Sequence, residues 1–457
     1  MILQIENLGV IKQMNIDLSK DFILFCGPNS TGKTYASYVL FAFLSFNSIK
    51  PLSCFDIISD EIQDKGEFVL KREHIESWLA KNCEEVTSQL GSVFGISEDT
   101  RIKLFNRLKL SCIYTDEDYQ KTIALPIDYT FNDGTVILKV TKEASSNLIR
   151  VENNVDNHIK YSSSSLRTVS LLNNLLNDLA FASKGAARML TVERNSIYTF
   201  KTELSLSRNE LIDRIQQNSI QSELDLLDIV NSSSRRYPLA VRSSLRVAND
   251  LETIQKGTSE YADIAAEIEH DLLKGEVSMT KGGDVEFHSD NMPKTRRLPF
   301  HLSSSIVKTM ASLVVYLRHL AHNGDTLIVD EPEMNFHPDV QILLARIFSK
   351  LSNKGLRVVI STHSDYVIRE INNMIMCGAL YKRNLKDKVD DIGYEEDSIL
   401  YKDNVDVIFF NHKLKYVITK SLDIQDTGFD VVTIDETILK QNQRAEWLFD
   451  CLEEQNK

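Results

Sequence analysis

The chain has 457 residues, 42% hydrophobic and 26% charged, an ordinary composition for a soluble globular protein with room for two or three compact units. Its 52 basic and 65 acidic residues leave a net charge of −13, which excludes a globally basic nucleic-acid binder while permitting a local basic groove. No apolar run approaches the roughly 20 residues of a bilayer span, so no membrane partner is expected, and six scattered cysteines without a C-x-x-C pair fit a reducing cytoplasm.

The N-terminus, MILQIENLGVIKQ, lacks the features of a signal peptide and reads as the first strand. Leu3 to Ile5, Ile16 to Leu18 and Phe22 to Cys26 predict three short strands, the third running into GPNSTGKT. TYASYVLFAFLSF is apolar enough for a buried helix. Beyond it come a helical stretch around Ile75 to Phe94 and two strand-like pieces, ALPIDYTF and TVILKV, separated by Asn-Asp-Gly, a hairpin signal. A Ser/Asn-rich stretch precedes LRTVSLLNNLLNDLAFA, whose apolar spacing is helical, and MLTVERNSIYTF reads as a strand running into polar residues.

From about 200 to 272 the chain reads as two helices around Arg235-Arg236-Tyr237-Pro238, since proline disfavours helix for the residue before it. These form either a short antiparallel arm or a helical subdomain packed on the body. GEVSMTKGGDVEFH predicts a hairpin turning at Lys281 to Gly283. From Leu298, helix, TLIVD strand, helix, RVVIST strand and helix alternate, the pattern of a parallel α/β sheet. The tail offers strands at SILYK, VDVIFFN and YVIT and a final amphipathic helix, ILKQNQRAEWLFDCLEE.

Gly27-Pro28-Asn29-Ser30-Thr31-Gly32-Lys33-Thr34-Tyr35 carries the phosphate-loop pattern between a strand and a helix. Its glycines allow the backbone to wind so that successive amides face phosphate oxygens, and the helix start adds its positive dipole end. Lys33 would meet the β- and γ-phosphates, and the Thr34 hydroxyl would ligate Mg²⁺, which makes ATP and Mg²⁺ the expected cofactors.

TLIVDEPE delivers Asp330 to the C-terminal end of a strand, where parallel sheets bind ligands. Asp330 is suited to hold the Mg²⁺ water shell, and Glu331 to act as general base toward an attacking water. VVISTHS ends a second strand at Ser361-Thr362-His363, where the imidazole would contact the γ-phosphate or that water. Ser303, Ser304 and Ser305 stand where a helix starts. They are either an N-cap or an anion site for the γ-phosphate of a nucleotide held by a second copy.

Together these residues resemble the ABC-type ATPase heads of the SMC and RecF kind. The resemblance runs through ENLGVIKQMNIDL with GPNSTGKT, LSSSIVKT as a serine variant of the signature helix, LIVDEPEMNFHP and ISTHS. It implies a magnesium ligand at Asp330, a catalytic base at Glu331, a switch histidine at His363, and serines that close over a partner's ATP. MLTVERN occupies the place of the glutamine loop, where Glu193 would replace the glutamine near the metal; LSSS lacks the glycines of transporter subunits.

DEPEMNFHPDVQ, the ERN segment and the closing TGFDVVTIDETILKQNQRAEWLF look closer to the bacterial AAA15/AAA21-type ATPases. That branch includes the ATPase subunits of the Septu and PARIS anti-phage systems and the overcoming-lysogenization-defect proteins. About ninety residues follow His363 without a Toprim-like acidic arrangement, so no nuclease of its own is expected. Members without one act with a separately encoded effector, an HNH nuclease in Septu and a Toprim nuclease in PARIS.

The expected architecture is a split α/β P-loop ATPase head. Residues 1–196 and 274–400 form its two lobes, 197–273 a coiled-coil-like helical insertion, and 401–457 a small α/β extension for packing or partner docking. Two copies are expected to sandwich two ATP molecules, with higher oligomers, a phage protein or DNA as further partners. The expected function is an ATP-hydrolysing sensor and scaffold in phage defence. The rivals are a DNA-repair or chromosome-maintenance ATPase, a transporter subunit, which the insertion speaks against, and an ATP-bound scaffold with little turnover.

Overall fold

The computed structural model describes residues 1–46, 52–132, 137–153, 166–181, 185–201, 237–293 and 296–454. Sixteen strands run through them: β1 Ile2–Leu8, β2 Ile11–Asp17, β3 Phe22–Cys26, β4 Glu67–Val69, β5 Lys109–Ile113, β6 Ile127–Asn132, β7 Ile137–Lys142 and β8 Leu148–Asn153. The rest are β9 Ala187–Leu190, β10 Gly275–Met279, β11 Val285–Ser289, β12 Leu298–Pro299, β13 Thr326–Asp330, β14 Arg357–Thr362, β15 Val405–Lys413 and β16 Tyr416–Ser421.

The main sheet has the order β5-β1-β2-β16-β15-β3-β14-β13-β9. From β15 to β9 every pairing is parallel, while β1 is antiparallel to both of its neighbours. The molecule is therefore an α/β fold on a mixed sheet. The strands of its parallel half read as apolar runs because both faces are buried. In β3, Ile23 and Phe25 point into one core while Phe22, Leu24 and Cys26 point into the other. β13 and β14 split in the same way, with Ile328 and Val359 on the first face and Leu327, Val329, Val358 and Ile360 on the second. The first core takes the helix Lys33–Ser45, buried along most of its length, and the second takes the helix Ser305–His319. Two smaller antiparallel sheets, β4-β8-β7-β6 and β10-β11-β12, complete the described strands. They contain both expected hairpins, although Asp133 and Gly134 of the Asn-Asp-Gly turn lie outside the described residues.

Several local expectations need correction. The strand at MLTVERN stops at Leu190. Thr191 then turns the chain, its carbonyl accepting from the Arg194 amide at 3.1 Å, and Arg194–Ile197 form a short helix. SILYK is not a strand: Glu396–Ser398 form a 3-10 turn, and the Leu400 amide bonds to the Met374 carbonyl at 3.3 Å instead of entering a ladder. The final helix starts at Val432, ahead of ILKQ.

The expected boundary at 400 does not follow the packing. VDVIFF is buried at every position, and β15 sits beside β3 inside the main sheet, so residues 405–421 belong to the head. The expected insertion is narrower on its C-terminal side. In the helix Leu239–Asn249, Ser244 Oγ donates to the Met189 carbonyl of β9 at 3.4 Å, and the Arg242 guanidinium bonds to Ser92 Oγ at 2.7 Å. Tyr261 is fully buried, with its hydroxyl on the Lys354 carbonyl at 3.0 Å. Residues 202–236, the first half of the expected insertion, lie outside the described residues.

Candidate active site

Four parallel strands end on one edge of the sheet, and each delivers part of the site. β3 leads into the loop 27–32, β13 ends at Asp330, β14 at Thr362, and β9 opens the turn to Arg194. Ligands of parallel sheets bind at this carboxyl edge.

The loop winds through left-handed conformations at Ser30 (φ 60) and Gly32 (φ 91), and Gly27 has φ 138. Gly27 cannot carry a side chain, because a Cβ there would stand 2.4 Å from the Phe410 carbonyl oxygen of β15. Such winding turns successive amides toward one centre, a concavity that binds anions. Gly32 caps the helix Lys33–Ser45 without a side-chain hydrogen bond, leaving the first amides directed at the same centre. The Lys33 ammonium donates to the carbonyls of Gly27 at 2.8 Å and Pro28 at 2.9 Å, and Thr31 Oγ1 donates to Pro28 at 2.8 Å. Burial lowers the Lys33 pKa, while the carboxylates of Glu331, Asp330 and Glu333 oppose that shift. Asn29 to Tyr35, together with Val10 and Glu331, line a cleft of about 470 Å³, within the usual range of about 300–1,000 Å³ for ligand pockets. The Tyr35 ring closes one wall, packed edge-on against Phe94 and Phe105.

Asp330 is buried to 1% exposure. One carboxylate oxygen accepts from Ser361 Oγ, and the other, Oδ2, is buried without a hydrogen-bond partner. Burial raises its pKa, and the neighbouring Ser361 and Thr34 hydroxyls pull the other way. A buried carboxylate oxygen with no donor is costly unless a cation or its water meets it. Mg²⁺ characteristically takes one or two protein oxygens, with phosphate oxygens and waters completing its shell. Thr34 and Asp330 fit that pattern, and among the described residues no group of three or more His, Cys, Asp or Glu forms an all-protein cage.

Glu331 adopts φ 45, in the left-handed region, at a cost of about 1–3 kcal/mol that its surroundings must offset. Its amide donates to the Ser361 carbonyl at 3.1 Å and to Ser361 Oγ at 3.2 Å, and its side chain reaches the cleft. The His363 ring is half-exposed, its Nδ1 lying 3.8 Å from Glu331 Oε1 and 3.6 Å from Glu333 Oε1.

Two residues that the sequence reading did not assign complete the site. Glu333 is buried; its Oε1 accepts from Thr362 Oγ1 at 2.6 Å and from the His363 amide at 3.1 Å, fixing the strand end that carries the histidine. Its signal was the third acid of DEPE, the glutamate after the proline. Arg194, 2% exposed, donates to the carbonyls of Thr191, Asp330 and Glu331. Burial brings its pKa down to about 10, against the pull of Asp330, Glu333, Glu331 and Glu193. Glu193 itself is exposed, at the start of the short helix, and its charge reaches the Tyr38 phenol and Arg194.

The three serines stand apart from the cleft lining. Ser304 is the N-cap of the helix Ser305–His319 but makes no side-chain capping bond. Ser304 and Ser305 are exposed, and Ser303 Oγ is buried without a partner. One chain thus assembles the phosphate loop, Asp330, Glu331, Glu333 and His363, while Ser304 and Ser305 are exposed outside the cleft lining and Ser303 is buried beside them.

The model of the AAA ATPase domain family AAA_15 matches residues 1–368, and the chain belongs to that family. No curated protein matches it. Among solved structures it is similar to the Smc head domain with an extended coiled coil bound to the C-terminal domain of ScpA from Pyrococcus furiosus. That match has 11% identity over 97% of this chain and 98% of the other, with a TM-score of 0.34. The SMC head domain from Thermotoga maritima matches at 10% identity over 93% and 98%, with a TM-score of 0.30. No described helix is long and apolar enough to cross a membrane.

Proposed function

We propose that this AAA_15 ATPase chain binds Mg²⁺–ATP in the cleft of residues 27–35 and hydrolyses it in a two-copy assembly. The reading extends to phage defence, where the pair would hold or license a separately encoded nuclease. The observation that carries the paired site is the separation of its parts. The phosphate loop and Glu331 line one cleft, while Ser304 and Ser305 start a 15-residue helix whose first amides have no side-chain cap. A helix start of that kind fits a γ-phosphate, and the chain's own serines do not line its own cleft.

Within the cleft, Lys33 and the loop amides would hold the β- and γ-phosphates. Thr34 and Asp330 would hold Mg²⁺, which neutralises the charge developing on the transferred phosphoryl group. Glu331 accepts the proton of the attacking water, and His363, anchored through Glu333, orients that water or the γ-phosphate. Glu193 is proposed as an outer ligand to the metal's water. The defence reading is supported by the resemblance of DEPEMNFHPDVQ and the ERN segment to ATPase subunits of such systems.

Mixing two inactive variants tests the paired site. Ser304→Arg should block hydrolysis through the neighbour while leaving ATP on its own loop, and Lys33→Ala should lose ATP. A mixture should regain turnover above either parent, one intact composite site per heterodimer. If no ratio exceeds the parents, the shared site is wrong. Phage plating on cells that carry this gene with its genomic neighbours tests the wider role. Protection lost with Glu331→Gln supports defence, and equal plating with and without the genes removes it.

A further inference from the structure

Arg194 presents an unusual balance of charge. Its guanidinium is buried, and the three groups that receive its hydrogen bonds are backbone carbonyls rather than carboxylates: Thr191 at 3.0 Å, Asp330 at 2.7 Å and Glu331 at 2.7 Å. A buried cation usually takes a carboxylate partner, yet none of the acids around this one, Asp330, Glu331 and Glu333, accepts any of these hydrogen bonds. The planar fork of a guanidinium suits two acceptors held side by side, and here those are consecutive peptide oxygens.

These two peptides carry the site's central acids. Glu331 is held in the left-handed region, and its peptide groups are fixed from both sides: Ser361 receives its N–H and Arg194 bonds to its C=O. A residue kept in a sparsely populated conformation depends on such surroundings, because its backbone relaxes when one tether is removed. Relaxation there would rotate the Glu331 side chain away from its place in the cleft. Arg194 cannot easily follow such a shift, since its short helix is anchored by buried Ile197 and by Tyr198, whose ring packs edge-on against Phe300 at 5.6 Å.

We propose that Arg194 is a positioning residue: by clamping the carbonyls of Asp330 and Glu331 it fixes the direction of the Glu331 carboxylate, and so governs the hydrolytic step rather than ATP binding. The proposal rests on the reading of Glu331 as general base. The alternative is a purely structural role, in which Arg194 caps the end of β13 and contributes only to stability.

A double-mutant cycle in the full-length chain separates the two, with Mg²⁺–ATP affinity measured by titration calorimetry and hydrolysis by single turnover. Arg194→Lys keeps a cation but lacks the fork, and Arg194→Gln keeps a neutral donor as a second variant. With Arg194→Lys, affinity should hold while the rate falls by about 10- to 100-fold, the usual result of misplacing a reacting group by about 1 Å. In a Glu331→Gln background the same substitution should cost no further rate, because the two residues act as one unit.

Wild-type turnover in Arg194→Lys would overturn the proposal. So would an affinity loss as large as the rate loss, or an equal rate loss in both backgrounds. If neither variant folds, Arg194 is a stability element and the positioning role falls. Should Glu331→Gln itself turn over at the wild-type rate, the reading of Glu331 as base fails, an outcome separate from a harmless Arg194 substitution.

Discussion

The Lys33 ammonium donates to the carbonyl oxygen of Gly27 at 2.8 Å, so the cation of the phosphate loop is held at the centre of that loop by the residue that opens it. The side chain therefore both shapes the concavity and supplies its charge. Lys33→Ala should weaken ATP binding at least about tenfold, since a hydrogen bond to a charged group contributes about 1.5–3 kcal/mol. Isothermal titration with ATP and Mg²⁺ checks this, and unchanged affinity would place the nucleotide elsewhere.

Asp330 is buried with one oxygen lacking a donor, and burial alone works against its charge. Asp330→Asn should therefore melt no lower than the wild type without nucleotide. It should also lose the part of the ATP-induced stabilisation that depends on Mg²⁺. For scale, a ligand at 100 times its Kd adds about 2.7 kcal/mol. Thermal melts with ATP, with and without Mg²⁺, read both effects. A variant that keeps the full Mg²⁺-dependent gain would remove Asp330 from the metal site.

Gly27→Ala should destabilise the fold by more than about 2 kcal/mol, combining a positive-φ cost with a clash. The added Cβ meets the Phe410 backbone, which cannot swing aside as a side-chain tip would. Urea unfolding measures the loss. A shift below about 0.5 kcal/mol, as at an ordinary surface position, would show that β3 and β15 separate easily.

Truncation should give opposite results on the two sides of residue 430. The helix Val432–Glu454 exposes Leu439, Trp447, Leu448, Phe449 and Leu452, each more than half accessible. A chain ending at 430 should stay folded and bind ATP while losing higher assembly or a partner on size-exclusion chromatography. A chain ending at 404 loses β15 and β16 from the main sheet and should be insoluble. An insoluble 430 truncation would make the last helix part of the core.

The site's motifs were legible because strand and loop chemistry are local. A glycine-rich turn after FILFC, an acid after TLIV and a histidine after VVIST each announce themselves within ten residues. Arg194 was not, because its role lies in contacts with carbonyls 136 and 137 positions away, which no local pattern encodes. β15 was read correctly as a strand but assigned to a tail, since an apolar run reveals double-sided burial without naming its neighbours. The short helix at Arg194 was hidden for the opposite reason: MLTV has strand composition, and the Thr191 turn that ends it is closed by the amide and the side chain of a residue three positions on.

The place of β15 has a consequence for biogenesis. β3, Phe22–Cys26, pairs on one side with β14, Arg357–Thr362, and on the other with β15, Val405–Lys413, so both of its neighbours leave the ribosome well over three hundred residues after it. At about 5–20 residues per second that wait is on the order of half a minute, with β3 lacking partners along both sides until β14 is made and along one side until β15 follows. During it the Phe410 backbone against which Gly27 seats does not exist, so an unfinished chain lacks the support of its phosphate loop. On the reading of this loop as the nucleotide site, affinity arrives only once β15 has been made, and chains that stop short of it would not compete for ATP or poison a pairing of finished ones.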